Sequence, residues 1–244
     1  MSERPLDKVK SIPLTRIQKL IGDRMLESKR TKPCFYIQSR ADVTELMSLR
    51  PKLSKSLGAK ITSNSFLIRA LALAAAKYPL VISTVADRRN ADSTAANEQV
   101  ISAKIADQIN VGFAVNAPQG LVVPVIRQAD NKSLAEIARL EKTLTEKARS
   151  NKLTLDDMEG ETIALSNLGA YGIDSFIGIV PPPASTILAV GNVVQTVTPR
   201  DPKPQMRKMM SLTVAADHRV IDGAYAANFL GYIIKQLQSP RELV

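Results

Sequence analysis

Very little in this chain is suited to cross-linking, redox or metal chemistry. Its 244 residues include one cysteine, Cys34, one histidine, His218, and no tryptophan. A lone cysteine makes no internal disulfide, which points to a reducing compartment, and no Cys/His cluster has metal-ligand spacing. We therefore expect no metal. Aromatic residues make up 4% of the chain, so stacking platforms for nucleic-acid bases are scarce. No apolar run is long enough to span a bilayer, and the longest approach, from Phe66 to Ala76, is interrupted by Arg69. The first residues, Met1 to Lys10, are polar and lack the apolar core of a signal peptide. These absences predict a protein of the cytoplasm, or of the mitochondrial matrix in a eukaryote, without membrane or nucleic-acid partners.

What is present describes an ordinary folded domain. Hydrophobic residues are 45% and charged residues 23%, in a chain long enough to bury a sizeable core. The net charge of +10 is spread along the sequence with no long Lys/Arg block. A solvated basic surface accounts for it; phosphate-bearing small molecules or an acidic partner are the functional alternatives.

Patterning divides the chain into a tail over residues 1–12 and one domain over 13–244. Leu14, Ile17, Ile21 and Met25 recur at helical spacing, ending before Pro33. A strand follows over Cys34 to Ala41, with Cys34 read as a small buried apolar residue. A second helix is expected from Glu45 to Leu57, capped by Asp42 or Thr44 and disturbed by Pro51. A third, rich in Ala and Leu, is expected from Asn64 to Tyr78, and a strand from Val81 to Ala86. Ile109 to Val115 and Leu121 to Ile126 read as strands joined by a turn over residues 116–120. Ser133 and Glu136 form a capping box before a helix reaching about Arg149, with Leu134, Ile137, Ala138, Leu140 and Leu144 on its apolar side. Strands over 162–166, 185–190 and 211–215 and a final helix over 222–237 complete an α+β pattern of helices and antiparallel-looking strands, with helices on one face of a sheet.

One motif carries chemistry. The only histidine lies in Asp217-His218-Arg219-Val220-Ile221-Asp222-Gly223, between an expected strand and an expected helix. Loops at strand ends commonly display catalytic groups, and an imidazole accepts a proton near neutral pH without extreme perturbation. Asp222 is placed to fix the local geometry through an ion pair, and Gly223 permits a tight turn.

The segment "DHRVIDG" resembles the signature of the dihydrolipoamide acyltransferases, the core components of 2-oxo acid dehydrogenase complexes. "IPLTRIQKLIGDRMLESK", "NVGFAVNAPQGLVVPVI" and "LSNLGAYGIDSFIGIVPPPASTILAVG" resemble other family segments in the expected order, so the likeness covers roughly residues 11 to 240. It implies a chloramphenicol acetyltransferase-like α+β fold, a mixed β-sheet with helices packed on one face, and acyl transfer between dihydrolipoamide and coenzyme A, which is a substrate here. By resemblance His218 is the general base, Ser166 donates to the oxyanion, and Asp222 orients the site, with Arg24 as its candidate partner. Arg50, Thr62, Asn116, Ser166 and Asn167 match coenzyme A contacts, although relatives often carry Asp where this chain has Asn116. The resemblance also implies a homotrimer whose sites combine His218 of one subunit with Ser166 of the next, assembled into a 24-mer or 60-mer core. Leu243 and Val244 then either dock into an adjacent trimer or fray. The implied partners are a 2-oxo acid decarboxylase, dihydrolipoamide dehydrogenase and a lipoyl domain that carries the lipoyl group. "SNLGAYGIDSF" is closest to acetyl-transferring members. A non-catalytic scaffold and a chloramphenicol-type O-acetyltransferase are the alternatives.

Overall fold

Hydroxyl and carboxylate caps set where the helices begin. In a computed structural model that describes residues 12–89, 99–199 and 203–244, Thr15 and Gln18 form a capping box at the start of α1 (Arg16–Thr31). Thr62 and Ser65 do the same for α3 (Ser63–Lys77), and Ser133 with Glu136 for α4 (Leu134–Arg149), the last as its sequence predicts. Helix α2 (Thr44–Ser56) begins without a side-chain cap on Val43; the Asp42 carboxylate accepts from the amide and hydroxyl of Thr44 instead, and Pro51 lies inside the helix. Helix α5 (Gly223–Gln238) is capped by Asp222, which accepts from the Tyr225 amide at 2.7 Å. The tail expected over residues 1–12 lies, but for its last residue, outside the described residues.

The main sheet has six strands in the order β1-β10-β9-β8-β4-β7. Strands β1 (Cys34–Asp42), β9 (Thr186–Thr198) and β10 (Gln205–Asp217) run antiparallel to their neighbours in this group. Strand β8 (Ile163–Asn167) is parallel to both β9 and β4 (Val111–Phe113), and β7 (Val125–Ile126) closes the edge antiparallel to β4. Two hairpins stand apart: β2 (Ser83–Arg89) with β3 (Gln99–Ile105), and β5 (Val115–Ala117) with β6 (Gly120–Val122). The expected central hairpin is thus split between the sheet and a separate ribbon. The mixed α+β architecture is the expected one.

Helix α3 explains the Ala/Leu-rich run. Phe66, Leu67, Ile68, Ala70, Leu71, Ala72, Ala74 and Ala75 are fully buried between the sheet, α4 and α5. Each large side chain contributes about 1.5–3 kcal/mol by leaving water. The opposite face of the sheet is covered differently, by Val180 and Ala184 packed on Ala164, Ile187 and Ala215, with Cys34 at the margin. Cys34 is therefore only half-buried.

Several expectations need correcting. The strand expected from Val81 begins at Ser83, because Pro79–Ile82 closes α3 with a 3-10 turn that buries Val81 and Ile82. Strands β9 and β10 are 13 residues each, longer than expected. Their outer halves carry Gln195, Arg207 and Lys208 among exposed Val194, Val197 and Met206, a mixture that hides strand alternation. On α4, Leu140 is 37% exposed and Glu141 takes the buried position. At the C-terminus, Leu243 is buried against its own chain and Val244 is exposed. Among the described residues, no helix is long and apolar enough to cross a membrane, and no group of three His, Cys, Asp or Glu side chains is arranged to hold a metal ion.

Candidate active site

His218 is the first residue after β10, where the strand turns toward α5. Its backbone amide donates to the Pro33 carbonyl at 3.1 Å, which ties the turn to the start of β1. The exposed imidazole leans on the Phe35 ring, with centroids 4.6 Å apart and planes tilted by 55°. Among the described residues the imidazole nitrogens have no hydrogen-bond partner, and on an exposed residue they are available. The neighbours on either side pair with each other: Arg219 grips the buried Asp217 carboxylate through Nε at 2.9 Å and Nη2 at 2.6 Å. Burial alone would raise the Asp217 carboxyl, but the Arg219 bonds outweigh it and hold the group below its ordinary value. Asp217 thus stays charged, and its clamp fixes the backbone on which His218 rides.

Lys32 Nζ donates to the Ala184 carbonyl, and Arg24 donates to the Pro182 carbonyl at 2.7 Å. Burial lowers the Lys32 ammonium and raises the Cys34 thiol, which leaves Cys34 a poor nucleophile. Glu161, just before β8, folds its carboxyl over Gly112, and one of its buried oxygens has no hydrogen-bond partner among the described residues. Burial pushes Glu161 up to about 7, although Arg24 and Lys32 pull in the other direction.

Ser166 lies near the end of β8, paired with Ala189. Ala189 in turn faces Thr213, five residues before His218. At ~3.3 Å per residue and ~4.8 Å between strands, His218 and Ser166 of one chain are roughly 20 Å apart. Alternation puts Ser166 on the face that carries Ala164 and Asn167 on the face that carries the helices. The Ser166 hydroxyl has no hydrogen-bond partner among the described residues. Asn167 donates to Asn64 at 2.7 Å and accepts from the Gly169 amide at 2.8 Å.

Asn167, Asn64 and Thr62 line a cleft of about 400 Å³ between the start of α3, the end of β8 and the middle of β9. Arg50 stands behind it and donates to Ser63 at 3.3 Å. Of the expected coenzyme A contacts, the structure therefore brings Thr62 and Asn167 together, with Arg50 at their back. Ser166 faces away from this cleft. Asn116 is on the β5–β6 ribbon, exposed and bonded to the Tyr171 hydroxyl at 3.2 Å. The expected Asp222–Arg24 pair does not form within the chain. Asp222 is committed to capping α5, and Arg24 to the Pro182 carbonyl. Residue spacing alone does not tell a cap from an ion pair.

Sequence reasoning passed over Phe35, Asp217, Glu141 and Glu161. Glu141 left a signal: it falls on the stripe Leu134, Ile137, Leu144 and Ala148, all of them buried, and an acid on an apolar stripe needs a partner.

A family profile described as 2-oxoacid dehydrogenases acyltransferase (catalytic domain) matches residues 7–244. The dihydrolipoyllysine-residue acetyltransferase component of the pyruvate dehydrogenase complex of Rickettsia bellii is 35% identical over 232 residues, 93% of this chain and 52% of that protein. The chain thus spans about half the length of this curated relative. Among solved structures, dihydrolipoamide acetyltransferase of Azotobacter vinelandii superposes with a TM-score of 0.85 at 31% identity, covering 100% of this chain and 99% of that one. A serine, a histidine and an asparagine have been investigated there for their role in its catalytic mechanism, and their spacing equals that of Ser166, His218 and Asp222 here. A cubic core of a pyruvate dehydrogenase multienzyme complex matches with a TM-score of 0.85 at 31% identity, over 100% of this chain and 99% of that one.

Proposed function

The chain belongs to the 2-oxoacid dehydrogenase acyltransferase family, matching its catalytic domain, and from that premise we propose that it moves an acetyl group between the thiols of coenzyme A and dihydrolipoamide. The observation that carries this reading is His218 itself. The sole histidine is displayed at a strand end with both ring nitrogens available, braced by Phe35 and by the Asp217–Arg219 clamp.

In this mechanism His218 takes the proton from one thiol. The thiolate attacks the thioester carbonyl carbon, a tetrahedral oxyanion forms, and its collapse expels the other thiolate, which recovers the proton from the imidazolium. Ser166, with its hydroxyl uncommitted, donates to the oxyanion. It is a donor and not a nucleophile, so no acyl-serine accumulates with acetyl-coenzyme A alone. The ~20 Å between His218 and Ser166 in one chain requires two subunits to build one site, and a homotrimer supplies them. Exposed Leu20 and Leu26 on α1, with Tyr171, Ile173 and Ile177 on the segment after β8, support such an interface. Trimers then assemble into a 24-mer or 60-mer core that serves the decarboxylase and dihydrolipoamide dehydrogenase components, with the lipoyl group arriving on a lipoyl domain. Thr62 and Asn167 make the cleft the seat of the pantetheine arm, whose thiol end passes the end of β8 at Asn167 to reach Ser166 on the other face, and Arg50 suits a phosphate at its back.

A steady-state assay offering acetyl-, succinyl- and isobutyryl-coenzyme A with free dihydrolipoamide tests this. Acetyl transfer should exceed the other two by at least tenfold in kcat/KM, and no transfer from any of them overturns the proposal.

A further inference from the structure

We propose that Glu141 is a charge filter that keeps anions out of the coenzyme A cleft and commits it to the neutral, amide-bearing pantetheine arm. This rests on reading the cleft as the seat of that arm. A helix N-terminus opening on a cleft ordinarily attracts an anion, because its free amides and dipole favour negative charge. Here the first turn of α3 lines the cleft, and the place of such an anion is already taken from within the protein.

Glu141 reaches across from α4 and is 7% exposed. Its carboxylate accepts the Thr62 hydroxyl at 2.9 and 2.8 Å and the Ser65 hydroxyl at 2.6 Å. Each hydroxyl oxygen in turn accepts a backbone amide of the capping box, Ser65 to Thr62 at 3.0 Å and Thr62 to Ser65 at 3.1 Å. Both hydroxyls lie within donating distance of the carboxylate, as well as 3.1 Å from each other; with both donating to Glu141 the arrangement suits its ionised form, as does the helix dipole. Burial holds the carboxyl above its ordinary value, and the Ser65 and Thr62 hydroxyl bonds and the Lys60 ammonium only partly offset that rise. Of the described residues lining the cleft, Glu141 alone carries a formal charge, and that charge is negative.

The consequence is a difference in what the two ends of one ligand meet. Thr62 has spent its proton on Glu141 and offers a ligand only acceptor capacity. Asn64, Asn167 and Asn192 supply amide groups around it. Such a lining bonds the N–H and C=O groups of pantetheine and repels phosphate, sulfate and carboxylate. The phosphates of coenzyme A are left to cations outside the cleft, Arg50 among them.

The test follows acetyl transfer from acetyl-pantetheine, which lacks every phosphate, to dihydrolipoamide, with sulfate as inhibitor and ionic strength held with chloride. Sulfate bound at an outer phosphate site does not compete with this substrate, whereas sulfate in the cleft does. Wild-type protein should show no competitive inhibition. Glu141→Gln should become competitively inhibited, with an inhibition constant at least tenfold below the highest sulfate concentration that leaves the wild type unaffected. Glu141→Leu, which removes the charge without adding an N–H, should behave likewise and guards against misfolding of the first variant. Equal inhibition constants in wild type and variants, or competitive inhibition of the wild type, overturns the charge filter. Absence of transfer in the wild type overturns the proposed function instead, and sulfate binding by calorimetry to wild type and variants then decides the filter alone.

Discussion

Replacing Glu161 by Gln should stabilise the protein at alkaline pH and leave it nearly unchanged in mild acid. The carboxyl sits over Gly112 with one oxygen lacking a hydrogen-bond partner among the described residues. Burial, only partly offset by Arg24 and Lys32, raises it from 4.5 to about 7. An acid whose folded value lies above its unfolded value holds its proton longer when folded. Its contribution is fully retained below the unfolded value near 4.5 and is lost as pH rises through about 7. At ~1.4 kcal/mol per tenfold change in proton affinity, the loss is on the order of 3 kcal/mol above pH 8. Other carboxyls, Asp157 and Asp217 among them, are lowered on folding and give the opposite slope at lower pH, so the wild-type profile alone does not isolate the effect. Urea titrations of wild type and Glu161→Gln at pH 5 and pH 8 do. The variant should lie within about 1 kcal/mol of the wild type at pH 5 and exceed it by about 3 kcal/mol at pH 8. Equal midpoints at both pH values, or a weaker variant at pH 8, would refute the reasoning.

Three further predictions concern the frame of the site. Gly191→Ala should cost about 1–3 kcal/mol in a thermal melt, because a β-carbon there runs into the Asp174 carbonyl and disturbs the 2.8 Å bond from the Asn192 amide to the Ile173 carbonyl. Phe35→Ala should lower kcat with little change in KM by freeing the His218 ring, and Phe35→Tyr should restore most of it; unchanged kcat in the alanine variant argues against the brace. Asp222→Ala should lose a helix cap worth ~1 kcal/mol along with activity, whereas Asp222→Asn keeps the cap and should melt within about 0.5 kcal/mol of wild type. An equal loss in both would return Asp222 to the role of a charge partner.

The fold was largely legible because its local signals agree with its packing. Ser133 and Glu136 announce α4, and the Ala/Leu run of α3 is buried as its composition requires. Legibility failed where tertiary context decides. The long outer arms of β9 and β10 leave the core and lose their alternation. Leu140 and Glu141 exchange places because Thr62 and Ser65, far away in sequence, supply partners for a buried acid. The site behaves alike. His218 stands out as the sole histidine, but the Phe35 brace depends on strand register, which sets Cys34 beside Asp217. Asp222 and Arg24 are plausible partners by charge, yet a cap and a carbonyl claim them first.

The most direct test of the central claim is acetyl transfer by His218→Ala, measured from acetyl-coenzyme A to dihydrolipoamide alongside the oligomeric state. Loss of a general base typically costs 10²–10⁴ in rate, so kcat should fall by about 10³ while assembly and melting are preserved. A variant that retains its assembly and works within tenfold of the wild type would contradict the account.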